Sequence, residues 1–347
     1  MIRFAWLQLR VQVRTALAAL LAFGVVLMVT GPHLASLYGA SGISACHGGA
    51  CGTAASRFLS RLAITSPYPI VYVLGIGLIL AAPVIVGVFW GAPLIARELE
   101  NRTFALAWTQ SITRTRWLVV KLALTGLVAM AVTEALSVSY AWWADPISKA
   151  IGLQGPYPVA PEFGGDRLSL VIFASHGITP LGYAAFGFAL GTATGAIIRR
   201  AVPAMAVTLA IFAAAQIAMP LWVRPHLIPP DRTVASGPSF VESAGVNLGN
   251  LTAAIVPGQP GAWIISSGAI SAAGQPVDTV PAACVPPPPA KPPDPGRCLG
   301  NRGIREAITY QPASRYWSLQ WIETGIFLAL ALALAGFCFW WLRRGRT

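Results

Sequence analysis

Charge is what this sequence has least of. Asp, Glu, Lys and Arg make up 10% of its 347 residues, against about 25% in an average soluble chain. Hydrophobic residues make up 55%, and mean hydropathy is +0.64. A soluble domain of this size has too little charged surface to cover so much apolar surface, and a disordered chain needs the opposite composition. Lysine is rarer still: Lys121, Lys149 and Lys291 are the only three. None lies in a G-x-x-x-x-G-K-[ST] loop, so the chain holds no phosphate cradle of its own. H-E-x-x-H, C-x-x-C and G-x-S-x-G are all missing, which leaves no catalytic residue to assign. The four histidines, His33, His47, His176 and His226, are scattered and do not form a metal set. No catalytic role, metal or cofactor is therefore assigned within this chain.

What is present is a series of long charge-free runs. A membrane-spanning helix needs about 20 mostly apolar residues, and six runs qualify: 16–37, 70–95, 119–141, 168–196, 201–222 and 320–342. The first is too long and lacks the cleavage site of a signal peptide, so it counts as a span. The expected fold class is all-α and polytopic, with six transmembrane helices, both termini cytoplasmic and a small extracellular domain. That domain covers 223–318, between helices 5 and 6. The segments around it are an interfacial N-terminal helix at 1–15, helices 1–5 at 16–222, and helix 6 with its tail at 319–347. A seventh uncharged run, 243–277, is broken by Pro257, Gly258, Gln259, Pro260 and Gly261. It reads as loop with short strands at 262–266 and 269–271, a re-entrant segment being the alternative.

The net charge of +12 suggests a polyanionic partner until its distribution is examined. With the N-terminus inside, thirteen basic residues and only Glu98 and Glu100 fall in about fifty inside residues. The remaining eleven basic and nine acidic residues are spread over about 150 outside residues. This is the positive-inside pattern, and it removes the case for nucleic acid. Four of five cysteines (Cys46, Cys51, Cys284 and Cys298) fall outside, as an oxidising exterior requires of disulfides. Proximity favours Cys46–Cys51 and Cys284–Cys298; a tie between the two loops and unpaired thiols are the alternatives.

The inside segment after the second span carries Ala96-Arg97-Glu98-x-Glu100-x-x-Thr103, then Leu106, Thr109-Gln110, Arg114, Arg116 and Lys121. Acidic residues do not help retain a loop on the cytoplasmic side, so Glu98 and Glu100 call for another explanation. The stretch resembles the A-R-E-x-E-x-x-T…L…T-Q-x-x-x-R-x-R…K pattern of ABC-2 type permeases, the membrane subunits of ABC exporters. Arg102 stands where that family often has Gly, and Ser111 where it often has Pro. The segment from Tyr310 to Glu323 resembles an actinobacterial branch of the family. The resemblance implies that 96–116 is a coupling segment docking on a separate ABC ATPase subunit, which would bind ATP and Mg. Arg97, Glu98, Glu100, Arg102, Thr103, Gln110, Arg114 and Arg116 would make that contact. It further implies a homodimer or heterodimer of permeases in a bacterial cell membrane. The cargo would be a hydrophobic or amphipathic drug, antibiotic or lipid.

Inside the spans, Glu134 is the one acidic residue at depth, where insertion costs about 3 kcal/mol. It lies about 12 Å below the expected outer end of span three, and His176 lies about 13 Å below Arg167 on span four. A contact between them is expected, as a buried structural pair or a polar point on the substrate pathway. Two other functions compete: a proton-coupled secondary transporter using Glu134 and His176, and a membrane sensor or scaffold built on the outside domain. Gly87 and Gly91, and Gly187, Gly191 and Gly195, recur every four residues, which lets helices approach closely. Pro83, Pro93 and Pro180 permit kinks.

Overall fold

The computed structural model describes residues 2–46, 50–100, 114–153, 163–236, 256, 259–277, 284 and 295–344. Among these described residues, six helices are long and apolar enough to cross a membrane: Arg10–Ala40, Tyr68–Glu98, Val119–Ile151, Thr179–Ile198, Ala201–Leu227 and Ala313–Trp341. They are called spans one to six. Span one belongs to a helix that runs without a break from Ile2 to Ala40, so 2–15 leads into it as one rod. Span three belongs to the helix Arg114–Ile151 and outlasts its expected end by ten residues.

Span four lies at the centre. Seventeen of its twenty residues are buried, and its composition (Gly182, Ala184, Ala185, Gly187, Ala189, Gly191, Ala193, Gly195, Ala196) lets neighbours come close on every side. Gly87 and Gly91 of span two meet Gly187 and Gly191 directly, and Gly195 meets Ala92. A methyl at Gly87 would lie 2.7 Å from the Gly187 carbonyl oxygen, and one at Gly91 2.6 Å from that of Phe188. Added methyls at Gly191 and Gly195 would collide with the carbonyl oxygens of Gly87 and Ala92. The glycine repeats therefore join two spans of one chain.

Two spans change winding. Span two passes through a π-helical stretch, Val86–Gly91, between Pro83 and Pro93. Span five does the same at Met219–Val223, which contains Pro220. A proline lacks an amide donor and crowds the carbonyl one turn back; a π turn relieves this inside an otherwise continuous helix. Pro180 makes no kink, because it sits in the first turn of span four, where its missing amide costs nothing.

Span four is shorter than the sequence suggests. The expected 168–196 span is a six-residue helix, Leu170–Ser175, a break at 176–178, and the helix Thr179–Ile198. Hydropathy alone does not register the break, since Gly177 is as acceptable to a hydropathy window as any small residue. Its φ of +71° is what interrupts the helix.

The chain between spans one and two forms a further helix, Ala50–Ile64. It buries Ala54, Ala55, Phe58, Leu59 and Leu62 in a cluster with Leu34, Tyr72, Ile147 and Phe163. Between spans five and six, β1 (Asp231–Ala235), β2 (Trp263–Ile270) and β3 (Arg305–Gln311) form an antiparallel sheet in the order β1-β3-β2. The two short strands expected at 262–266 and 269–271 are one strand, with a register shift between Ile264 and Ser266. One face of the sheet packs Ala235, Val256, Ile308 and Tyr310. On the same face Ala269, opposite Glu306 in the register, joins a second cluster with Cys284, Leu299 and Ile304. Disulfides join Cys46 to Cys51 and Cys284 to Cys298.

Candidate functional site

The two ends of the bundle carry different chemistry. At one end, span two continues as the helix Ala92–Glu100. Arg97 and Glu100 are exposed there, and Glu98 is half-buried. Glu98 is ion-paired with Lys121 of span three. Lys121 is almost fully buried, so the carboxylate offsets the desolvation of its ammonium. Glu100 Oε2 accepts a hydrogen bond from the backbone amide of Ala201 at 3.3 Å. Ala201 is the first residue of span five, and a carboxylate there satisfies an orphan amide at the positive end of the helix dipole. Both acidic residues are thus engaged within the chain, and they tie span two to spans three and five.

This alters the reading of the expected docking residues. Arg97 is exposed, while Glu98 and Glu100 lock neighbouring spans. Arg114 and Arg116 fall in the first turn of the helix Arg114–Ile151. Arg102, Thr103 and Gln110 lie outside the described residues.

At the end bearing the sheet, the break in span four is held by span six. Gln320 is fully buried. Its Oε1 accepts from the amides of Ile178 and Thr179 at 3.0 and 3.1 Å. Its Nε2 donates to the carbonyls of Phe173 and His176 at 3.1 and 3.0 Å. One side chain thus caps the end of one helix and the start of the next, using its full donor and acceptor capacity. A flipped amide would oppose donor to donor, so the orientation is fixed. Gly177 is required here twice over, by its positive φ and because a methyl would lie 2.7 Å from Gln320 Oε1. Ser137 of span three donates to the Gly177 carbonyl at 3.3 Å. Irregular backbone at membrane depth survives only when its polar groups are met in this way.

One turn along span six, Glu323 forms a fully buried ion pair with Arg224 of span five. Arg224 Nε donates to Oε2 at 2.8 Å and Nη2 donates to Oε1 at 3.0 Å. Tyr183 of span four donates to the same Oε1, and the guanidinium lies 4.0 Å from the Phe173 ring centre. Among the described residues, Arg224 Nη1 has no hydrogen-bond partner. Spans four, five and six thus meet at one charged point, which sequence reasoning passed over. In the sequence Arg224 follows the apolar run 201–222 and Glu323 lies at the start of 320–342, positions that mark a span boundary when hydropathy alone is counted. The available signal was their opposite sign at the same end of two consecutive spans.

The expected Glu134–His176 pair does not form. The two are at similar depth, since Ser137, on span three with Glu134, reaches Gly177. His176, however, follows the last turn of Leu170–Ser175, and its ring folds back onto that turn. Its Nδ1 lies 3.0 Å from both the Ile172 carbonyl and Ser175 Oγ, and the ring packs edge-on to Tyr140. Among the described residues, Glu134 Oε2 and His176 Nε2 each lack a hydrogen-bond partner.

Among protein families, residues 17–224 match the one described as "ABC-2 membrane transporter related". No curated protein and no solved structure matches the chain. The match covers spans one to five as far as Arg224 and stops where the sheet begins.

Proposed function

The chain belongs to the ABC-2 membrane transporter related family, and from that premise we propose that it is the membrane-spanning subunit of an ATP-driven exporter. Two copies, or one copy and a related permease, would assemble with two ATPase subunits that bind ATP and Mg. The membrane would be a bacterial plasma membrane, with both termini and the segment 96–116 cytoplasmic and the sheet outside. The cargo would be hydrophobic or amphipathic, in keeping with a bundle that offers a substrate so few charges.

The observation that carries this reading is the anchoring of Ala92–Glu100. A segment that transmits force has to be stiff and tied to what it moves. Here the helix is continuous with span two, ion-paired through Glu98 to Lys121 and bonded through Glu100 to the start of span five. Span two is locked by its glycines against span four. A displacement delivered at 96–116 would move spans two, three, four and five together. Span six, stitched to span four by Gln320, would follow at the opposite end. ATP hydrolysis belongs to the partner; this chain supplies the lever and the path.

The test separates the lever from its anchors. Arg97→Glu combined with Arg102→Glu should abolish co-purification of the ATPase from mild detergent while leaving the melting temperature unchanged. Retention of the ATPase by this variant would refute docking through 96–116.

A further inference from the structure

Between spans two, four and five and the helix Leu170–Ser175 lies a cavity of about 410 Å³. That is within the range of small-molecule sites, about 300–1,000 Å³. Span five supplies Leu209, Phe212, Ala213, Gln216, Pro220 and Arg224 to it, one face of the helix followed for about 22 Å at 1.5 Å per residue. One leaflet of hydrocarbon is about 15 Å thick, so the cavity runs the depth of a leaflet on the side of the sheet. Its walls are apolar except for Tyr183, Gln216 and Arg224. Leu209, Ile217, Leu221 and Val171 at its margin are exposed, so it opens sideways onto the surface that faces lipid.

Arg224 stands at the end nearest the sheet. It is fully buried, two of its nitrogens are spent on Glu323, and Nη1 has no partner among the described residues. Leaving a buried donor unmet is costly, and more so when the donor is charged. A purely apolar occupant would leave it unmet, and a small soluble anion would leave the apolar length unfilled. An occupant with an acyl chain and an oxygen acceptor at one end satisfies both. Because Glu323 already neutralises the guanidinium, the contact is a charge-assisted hydrogen bond to oxygen, not capture of a net negative charge.

We propose that this cavity is a phospholipid site, with one acyl chain along span five and an ester or phosphate oxygen accepting from Arg224 Nη1. The site uses the bilayer lipid itself and stands whether or not an ATPase partner is found.

The test uses the full chain in nanodiscs of phosphatidylglycerol and phosphatidylethanolamine, doped with a phospholipid carrying a photoreactive acyl chain. After illumination, labelled peptides are identified by mass spectrometry. Labelling of 209–221 and 170–174 should exceed that of the lipid-exposed face of span one (Leu21, Val25, Met28) by about tenfold, a difference of about 1.4 kcal/mol in occupancy. Ala213→Trp, which fills the cavity, should reduce the excess to the level of span one. Equal labelling of spans one and five in the wild-type chain overturns the proposal without recourse to any variant. So does an excess that survives Ala213→Trp.

Discussion

At the scale of single residues, the energetics centre on groups buried where water does not reach. Removing one partner of a buried ion pair costs about 3–5 kcal/mol, whereas replacing both with apolar residues is close to neutral. Glu323→Gln should therefore lower the melting temperature of the detergent-solubilised chain sharply. Arg224→Met with Glu323→Leu should recover most of the loss, giving a large coupling in a double-mutant cycle. Gln320→Leu should be at least as damaging as Glu323→Gln, because it orphans two amides and two carbonyls at once. An unchanged melting temperature in Gln320→Leu would show that the break in span four is held by something else. By contrast Glu134 and His176, which no hydrogen bond or ion pair joins, should behave additively when substituted singly and together.

At the scale of elements, close backbone approach decides the assembly. Gly191→Val should dissociate spans two and four, since even a methyl at that position meets the Gly87 carbonyl oxygen. Gly77→Val on span two, with open space around it, is the matched control and should leave thermal stability unchanged. The sheet has a covalent staple as well. The Cys284–Cys298 link closes a loop of about 15 residues, worth about 3 kcal/mol by chain entropy. Non-reducing peptide mapping should recover Cys284 with Cys298 and Cys46 with Cys51, and no peptide joining the two loops.

Elements also differed in how far the sequence revealed them. All six spans were visible because an apolar run of 20 residues has few alternatives in a chain with 10% charge. The helix Ala50–Ile64 was hidden by Arg57 and Arg61, which face outward and mark the segment as a loop when charge alone is counted. The stripe Ala54, Ala55, Phe58, Leu59 and Leu62 was its signal. The break at Gly177 was invisible to hydropathy, and its partner Gln320 sits 143 residues away, a distance over which spacing carries no information. The basic segment after span two was recognisable from its motif, yet the roles of Glu98 and Glu100 were not, because both depend on which helix ends fold beside them.

At the scale of the whole molecule, the structure is a membrane bundle whose two ends are each tied across spans. One end bears the basic segment and the other the sheet, and span four, the most buried helix, connects them. Its ties to span two at one end and to span six at the other make a bundle suited to relaying movement lengthwise. Span one is the exception. It touches the rest chiefly through span three, with Trp143 Nε1 donating to Thr30 Oγ1 at 2.9 Å, and leaves Leu21, Met28 and Val29 exposed. We propose that a separate ATPase acting at 96–116 drives this bundle. Affinity purification of the tagged chain from its own membranes, with mass-spectrometric identification of what accompanies it, tests that most directly. The expected companion is a nucleotide-binding subunit with a G-x-x-x-x-G-K-[ST] loop, in one-to-one ratio with the chain. A chain that purifies without any ATPase and still moves substrate across vesicles in the absence of ATP would contradict it.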